Sequence, residues 1–291
     1  MAAPRTVAVT GASGMVGRHV DAALAGEGIA SLRVGRAQWD LNQWLDDADL
    51  DRIFSAADAI VHAGAAVPGV ERSWSLRQSL DVNFRASLNL ADWVRRRDKH
   101  LVFISTASLY ADPAKVDIVE TDAVTTRPIS GFYGLTKLMC EQALEHLAAA
   151  GLRCCAIRPS SPYGSGMRPS QMVPTMLARA SRGEDIVVKP PARDRVNLIH
   201  AADLATAIVR ALKAGATGLF NVAGPRAVSI AEIAEHCVAA AGKGRVILPD
   251  HDAESPQVRF QLLDRKASSA FGYAPRIDLG EGLRRMLAQT C

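Results

Sequence analysis

The spacing of glycines near the start of the chain constrains the fold more than any other feature. Residues 10–17 read TGASGMVG, with glycines in the order G-x-x-G-x-x-G. This loop follows a β-rich run at residues 6–10 and precedes a helical segment at 15–25. Such a turn lets the backbone approach a pyrophosphate, which the free N–H groups and partial positive charge of the helix N-terminus bind. The sequence therefore predicts a dinucleotide site formed by Gly11, Ser13, Gly14, Met15, Val16 and Gly17.

The remainder of the first half alternates strand-like and helix-like segments. Apolar runs at 30–34, 59–63, 101–105 and 152–157 are typical of buried parallel strands. Between them, apolar residues at helical spacing predict helices over 76–97 and 133–149. The fold class predicted is α/β, a Rossmann doubly wound parallel sheet covered by helices on both faces.

The character of the chain changes after Arg158, where prolines divide shorter segments. Helices are predicted at 203–212 and 230–241, with a strand at 219–222. We interpret residues 1–158 as the dinucleotide-binding Rossmann domain. Residues 159–291 are interpreted as a smaller C-terminal substrate-binding lobe that returns at least one strand to the main sheet.

Charge and apolar patterning restrict the partners and the compartment. The chain has 34 Lys and Arg against 30 Asp and Glu, a net charge of +4, which suits a small anionic substrate and argues against nucleic acid. No apolar stretch is long enough to span a membrane, and the start lacks the pattern of a secretory signal. The seven His residues show no metal-ligand spacing, so no metal is expected.

Cysteine usage points to a reducing compartment. The five cysteines include no C-x-x-C pair, and Cys154 and Cys155 adjoin in a predicted strand, so their side chains should face opposite sides of the sheet. We therefore expect all five to be reduced, in a cytoplasmic protein.

The end of the second predicted strand bears on the cofactor. An NAD site usually places an acid there to hold the ribose 2′-hydroxyl, whereas an Arg accommodates a 2′-phosphate. Here the strand ends Val34-Gly35-Arg36, and the next acid is Asp40. NADP(H) is the predicted preference, with NAD(H) possible; the alternative for Arg36 is a solvated surface charge.

Tyr133 and Lys137 form the clearest catalytic pattern. Four residues apart at a helix start, they share one helical face. A phenol with a pKa near 10 is a poor base at neutral pH, but a nearby ammonium lowers that pKa. Such a Tyr can exchange a proton with a carbinol oxygen while hydride moves to a nicotinamide. Ser105 and Thr106 end a predicted strand, where a hydroxyl can contact the substrate or cap a turn.

Ordered motifs along nearly the whole chain resemble those of one known family. The segments are TGASGMVG at 10–17, DL at 40–41, HAGAA at 62–66, DVN at 81–83, ISTASLY at 104–110, RPSSPYG at 158–164, NLIHAADL at 197–204 and the stretch 263–275. They resemble the extended short-chain dehydrogenases/reductases, or NAD-dependent epimerase/dehydratase family.

The resemblance implies a role for each matched position. Tyr133 is the acid/base, Lys137 lowers its pKa and holds the nicotinamide ribose, and Thr106 is the catalytic Ser/Thr. The cofactor residues implied, besides the glycine loop and Arg36, are Asp40, Leu41, Ala63, Gly64, Ala65, Asn83, Tyr133, Lys137 and Pro159. The substrate residues implied are Val67, Ser108, Ser161 and Arg195. In the family, the helices matching 76–97 and 133–149 form a dimer's four-helix bundle, so a homodimer is expected.

Departures from the family pattern narrow the reaction. Sugar-nucleotide dehydratases carry Asp-Glu after the catalytic Thr, where this chain has Ala107-Ser108. Ser161 stands where a substrate-binding Asn is common, and Val196 where an Arg often grips the nucleotide diphosphate. We therefore predict an NADPH-dependent reductase of a keto group on a sugar, a nucleotide-linked sugar or a related hydroxylated metabolite. The alternatives are an NAD-dependent sugar 4-epimerase with tightly held cofactor and, less favoured, a non-catalytic NADP-binding sensor.

Overall fold

The computed structural model describes residues 3–67, 75–252 and 257–289, in which strands and helices alternate. The strands are β1 (Thr6–Thr10), β2 (Ala30–Val34), β3 (Ala59–His62), β4 (His100–Ile104), β5 (Arg153–Pro159), β6 (Ser161–Tyr163), β7 (Ile186–Val187), β8 (Arg195–His200), β9 (Gly218–Val222), β10 (Ala227–Ser229) and β11 (Val246–Ile247). The helices are α1 (Met15–Gly26), α2 (Asp47–Phe54), α3 (Leu76–Leu80), α4 (Ala86–Arg96), α5 (Phe132–Ala149), α6 (Met172–Ser181), α7 (Ala201–Ala214), α8 (Ile230–Ala241), α9 (Arg265–Phe271) and α10 (Leu279–Ala288).

Six parallel strands form the central sheet in the order β2-β1-β3-β4-β5-β9. The chain leaves β1 toward β2 on one side and returns to β3 on the other. Strand order therefore reverses between β1 and β3, which opens a crevice at the carboxyl ends of these two strands. The predicted Rossmann fold is confirmed.

Apolar residues of the strands alternate between two helix-covered faces. Val7, Val9 and Cys155 pack with α1, α7 and α9, whereas Ala8 and Cys154 pack with α2, α4 and α5. Both faces of the sheet are buried because helices cover both. This explains why the sequences of these strands are continuous apolar runs. The predicted opposite orientation of Cys154 and Cys155 is confirmed. The cysteines of the described ranges form no disulfide, and Cys291 lies outside those ranges.

One predicted helix is interrupted, and four helices of the described ranges were not predicted. The segment 76–97 comprises α3, a π-helical turn at Asp81–Arg85, and α4. A π turn adds one residue to a helical turn and is frequent at functional sites. The unpredicted helices are α2, α6, α9 and α10. The N-cap of α2 is Asp46, whose side chain accepts a hydrogen bond from the Asp49 amide.

The second half of the chain builds a separate small core and also completes the main sheet. β9 pairs in parallel with β5, while β10-β8-β6 form a second sheet and β11 pairs with β7. The core of this half is formed by α6, α8 and α10, with Tyr163 buried among them. The second half therefore stands beside the carboxyl end of β5, next to the crevice.

Candidate functional site

The glycine loop leaves β1 in a conformation that only glycine adopts readily. Gly11 has a φ of +66°, and a Cβ there would lie 2.7 Å from the Gly64 Cα. A Cβ on Gly17 would overlap the Gly11 carbonyl oxygen. The loop therefore packs backbone against backbone and leaves the α1 N-terminus open, with Ser13 and Gly14 exposed. This geometry fits a cofactor pyrophosphate.

A hydrogen-bond chain joins the two strands that border the crevice. The Ser87 hydroxyl donates to the Asn83 carbonyl at 2.6 Å, so it accepts from His62 Nε2–H at 3.0 Å. His62 Nδ1 is then the acceptor for the Thr10 hydroxyl at 2.7 Å, and that oxygen accepts from the Gly64 amide. Burial, with a smaller effect from Lys137, lowers the pKa of His62 to about 3, so the ring is neutral.

The Asn83 side chain forms hydrogen bonds with the loop that follows β3. Its Oδ1 accepts from the Ala66 amide at 2.7 Å, and its Nδ2 donates to the Ala66 carbonyl and to the Thr136 hydroxyl. The side chain is fully buried and its polar atoms are used by protein partners. Asn83 thus fixes Ala66, which directly follows Ala63, Gly64 and Ala65, and its own contact with the cofactor stays a prediction.

The ribose end of the crevice carries Arg36, Asp40 and Leu41. Arg36 is exposed in the turn after β2, and Asp40 Oδ1 accepts from the backbone and side chain of Asn42. A Cβ on Gly64 would lie 2.8 Å from the Leu41 side chain, so Leu41 lines the same crevice. The cation is therefore more accessible here than the acid.

Lys137 is anchored to the end of β4. Its Nζ donates to the Ile104 carbonyl at 2.8 Å and lies 4.5 Å from the centre of the Phe103 ring. Tyr133 precedes it by about one turn of α5, with its ring centre 6.0 Å from the same Nζ. Among the described residues, no side chain or backbone group forms a hydrogen bond with the Tyr133 hydroxyl, which leaves it available to a substrate oxygen.

The electrostatics of Tyr133 differ from the sequence-based expectation. Burial raises the pKa of Tyr133 to about 12, and Cys140 acts in the same direction. Lys137 does not lower this pKa, because its ammonium points to the Ile104 carbonyl. Burial also lowers the pKa of Lys137 to about 8, although Cys140 and Glu141 raise it. Near neutral pH the site therefore presents a neutral phenol beside a largely protonated amine.

The two adjacent hydroxyls at the end of β4 have different surroundings. Ser105 is buried and its hydroxyl donates to the Glu141 carboxylate. Thr106 is half-buried, and its Oγ1 accepts from the Ser108 amide at 3.2 Å as the cap of a short helical turn. Thr106 is thus the accessible hydroxyl of the pair.

Further hydroxyls extend from Thr106 to the start of the catalytic helix. Thr106 Oγ1 lies 3.0 Å from Ser108 Oγ, which lies 2.6 Å from Ser130 Oγ. Ser130 comes three residues before Tyr133 in the chain, just ahead of α5. Ser130 was not identified from the sequence, because no motif marks it.

The remaining predicted site residues fall on the second half and its border. Pro159 ends β5 and is buried, whereas Val67 and Ser161 are exposed. Arg195 Nη1 donates to the Ala227 carbonyl at 3.1 Å, and its Nη2 lies 3.6 Å from Glu232. Arg195 therefore contacts the lobe while its side chain remains 43% exposed, and its contact with the substrate stays a prediction.

Comparison with known proteins identifies the family. The model of the NAD dependent epimerase/dehydratase family matches residues 7–223. The chain belongs to that family. It is accordingly an NAD(P)-dependent enzyme of the extended short-chain dehydrogenase/reductase type. Among the described residues, no helix combines the length and apolar character needed to cross a bilayer, and no cluster of ligands could hold a metal ion.

The relatives differ in the activity, the sugar nucleotide or the cofactor that their names state. A dTDP-4-dehydro-6-deoxy-D-allose reductase of Streptomyces bikiniensis is 31% identical over 273 residues, covering 83% of this chain and 82% of the relative. The structure of MoeE5 in complex with UDP-glucuronic acid and NAD is 26% identical, with a TM-score of 0.80 and 98% of each chain covered. RMD from Pseudomonas aeruginosa complexed with NADPH is 22% identical, with a TM-score of 0.81, covering 98% of both chains.

Proposed function

We propose that the protein is an NADPH-dependent reductase of a keto group on a nucleotide-linked sugar. The observation that carries this proposal is the hydrogen-bonded series of hydroxyls Thr106, Ser108 and Ser130, which ends three residues before Tyr133 in the chain. A dehydratase of this family needs carboxylates after the catalytic Thr, where this chain has Ala107 and Ser108. The Streptomyces reductase supports the same reaction class and a nucleotide-linked keto sugar as substrate.

The residues of the site suit proton donation to a carbonyl. When bound, the nicotinamide supplies the hydride. Tyr133, a neutral phenol because burial raises its pKa, donates its proton to the carbonyl oxygen as negative charge develops there. The Thr106 hydroxyl donates a hydrogen bond to the same oxygen, and the Lys137 ammonium holds the nicotinamide ribose.

A 4-epimerase is the second candidate, since the family includes epimerases and a hydroxyl-lined site is compatible with them. Such an enzyme oxidises and re-reduces one substrate, so it consumes no cofactor.

The decisive experiment denatures the purified protein, identifies the released nucleotide, and then measures NADPH oxidation with a nucleotide-linked 4-keto-6-deoxyhexose. We expect NADPH to be oxidised in proportion to ketone reduced. Stoichiometric NAD with no net NADPH consumption would instead identify the epimerase, and NADPH binding without reduction of any carbonyl tested would favour the sensor.

Arg36 is proposed to select NADPH. Replacing Arg36 by Ala is expected to weaken NADPH binding about tenfold or more and leave NADH binding nearly unchanged, because a charged hydrogen bond to the 2′-phosphate contributes roughly 1.5–3 kcal/mol. Fluorescence titration with each cofactor measures the ratio. Arg33→Ala is the matched control: Arg33 lies on β2 and pairs with Asp21 at 3.0 Å. An unchanged NADPH/NADH ratio in Arg36→Ala would assign Arg36 to the solvated surface.

We further propose that the protein is a homodimer through α4 and α5. Half-buried apolar side chains at helical spacing form an apolar stripe along α3, the π turn and α4, and a second stripe along α5. The residues are Leu80, Phe84, Leu88, Leu135, Met139 and Ala143. Partly exposed apolar side chains on neighbouring helices are typical of a protein interface.

Replacing Phe84 by Asp is expected to convert the dimer to a monomer, because it introduces a charge into the centre of the apolar stripe. Light scattering after size-exclusion chromatography measures the mass. Leu248→Asp is the control, since Leu248 is exposed in the second half, far along the chain from the stripe. A mass that Phe84→Asp leaves at that of the wild type would contradict this interface.

A further inference from the structure

A buried ion pair lies behind the catalytic helix and has no part in the proton transfer described above. Glu141 and Arg158 are 7% and 4% exposed. Arg158 Nε donates to Glu141 Oε1 at 3.0 Å, and Nη2 donates to Oε2 at 2.6 Å. The Ser105 hydroxyl also donates to Oε1. A single carboxylate thus receives donors from the ends of two neighbouring strands.

Each of the three segments joined there carries a proposed site residue. Ser105 is followed by Thr106, and Arg158 is followed by Pro159 at the end of β5. Glu141 lies one helical turn beyond Lys137 on α5, at the spacing that places both side chains on one face. Any displacement of the carboxylate would therefore move these residues relative to one another.

We propose that Glu141 is a positioning residue of the site, whose carboxylate holds the ends of β4 and β5 against α5 and supplies the anion that keeps Lys137 a cation. This inference rests on the proposed role of the Tyr133–Lys137 pair. It goes beyond that role because it assigns the charge state of Lys137 to a third, buried residue.

Stability alone does not account for this pair. A buried ion pair loses hydration on both partners, so well-packed apolar residues can usually replace it at little or no cost in stability. The arginine here is also incompletely satisfied: among the described residues, nothing forms a hydrogen bond with Arg158 Nη1. The guanidinium instead lies 4.8 Å from the centre of the Tyr110 ring. These features fit a carboxylate that is retained for its position and charge.

The groups around Lys137 leave Glu141 as the effective anion near neutral pH. On β3, His62 is neutral because burial lowers its pKa to about 3. On α5, burial raises the pKa of Tyr133 to about 12 and that of Cys140 to about 11, so both are protonated. β4 offers the Ile104 carbonyl and the Phe103 ring, and the Arg158 cation of β5 is paired with Glu141 itself. Burial lowers the pKa of Lys137, and Cys140 and Glu141 oppose that effect. A protonated thiol carries no charge, which leaves Glu141 as the anion.

The pH dependence of NADPH binding tests this inference without any substrate. Binding by the wild type should weaken as pH rises through the pKa of Lys137, about 8, because the ammonium that holds the ribose is lost. Lys137→Met should remove this alkaline transition. In Glu141→Gln the transition should move to lower pH by about one unit, since the isosteric amide removes the negative charge near the ammonium.

A second variant guards against a Glu141→Gln protein that does not fold with Arg158 left unpaired. Arg158→Gln should move the transition in the opposite direction, to higher pH, because Glu141 then acts on Lys137 without its own counter-ion. Opposite shifts, or the predicted shift in whichever variant folds, support the inference. A transition that stays at the wild-type pH in the folded variants overturns it, as do shifts of both variants in the same direction. An alkaline transition that persists in Lys137→Met would instead overturn the role of Lys137 itself, and this inference with it.

Discussion

Replacing Tyr133 by Phe is expected to reduce kcat for ketone reduction by about a hundredfold or more. The substitution removes only the phenolic oxygen, the group proposed to donate the proton, and general acid catalysis of this kind contributes roughly 10²–10⁴-fold. Since the hydroxyl forms no hydrogen bond within the described residues, its loss leaves no protein group unpaired, and folding should be unaffected. Steady-state turnover with saturating NADPH measures the effect.

The matched control for this experiment is Tyr163→Phe. The Tyr163 hydroxyl donates to the Asp278 carbonyl at 3.1 Å in the core of the second half. Its loss should lower the free energy of unfolding by about 1 kcal/mol and leave kcat unchanged. NADPH binding should be normal in both variants. Near-normal turnover in Tyr133→Phe would remove Tyr133 from the mechanism.

Replacing Gly17 by Ala is expected to weaken cofactor binding about tenfold to a hundredfold. The new methyl group would overlap the Gly11 carbonyl oxygen and lie 2.7 Å from the Ala12 Cα, so the loop must move away from α1. Overpacking of this kind costs roughly 1–3 kcal/mol, and here it falls on the backbone that is proposed to contact the pyrophosphate. The dissociation constants of NADPH and NADH should rise together, since both share that pyrophosphate.

Gly26→Ala in the same helix is the control. A Cβ on Gly26 meets no atom within 4 Å, so the substitution should leave cofactor binding intact and stabilise α1 by up to about 1 kcal/mol. Isothermal titration and thermal unfolding measure the two effects. Equal cofactor affinity in Gly17→Ala and Gly26→Ala would show that this contact is not critical for binding.

The elements predicted correctly are those whose signal is local. Val7 and Val9 belong to an apolar run bounded by a glycine loop, and such a run is a buried parallel strand in most contexts. The α2 helix escaped prediction because it has eight residues, several of them acidic, and one cap. The π turn at Asp81–Arg85 lies within a normal helical pattern, and the bonds that accompany it, such as those from Asn83 to Ala66 and Thr136, join residues distant in sequence.

The residues of the candidate site show the same difference between local and long-range signals. The glycine loop and the Tyr133–Lys137 pair could be predicted from the sequence, because the residues of each motif lie within a few positions of one another. The pKa values of Tyr133 and Lys137 could not be predicted from the sequence. The direction of the Lys137 ammonium depends on the Ile104 carbonyl, which belongs to another element of the fold. The Glu141–Arg158 pair left one local signal, a glutamate four residues after Lys137. Its partner could be recognised only once β4, β5 and α5 were placed together.

The position of β9 has a consequence for how the chain is made. The first 159 residues leave the ribosome well before Gly218–Val222, and β5 pairs with that segment on its outer side. Until then β5 presents an unpaired edge that includes Cys155 and Ile157, the kind of surface that recruits strands from other molecules. A nascent chain of this architecture therefore depends on its last central strand to cover that edge.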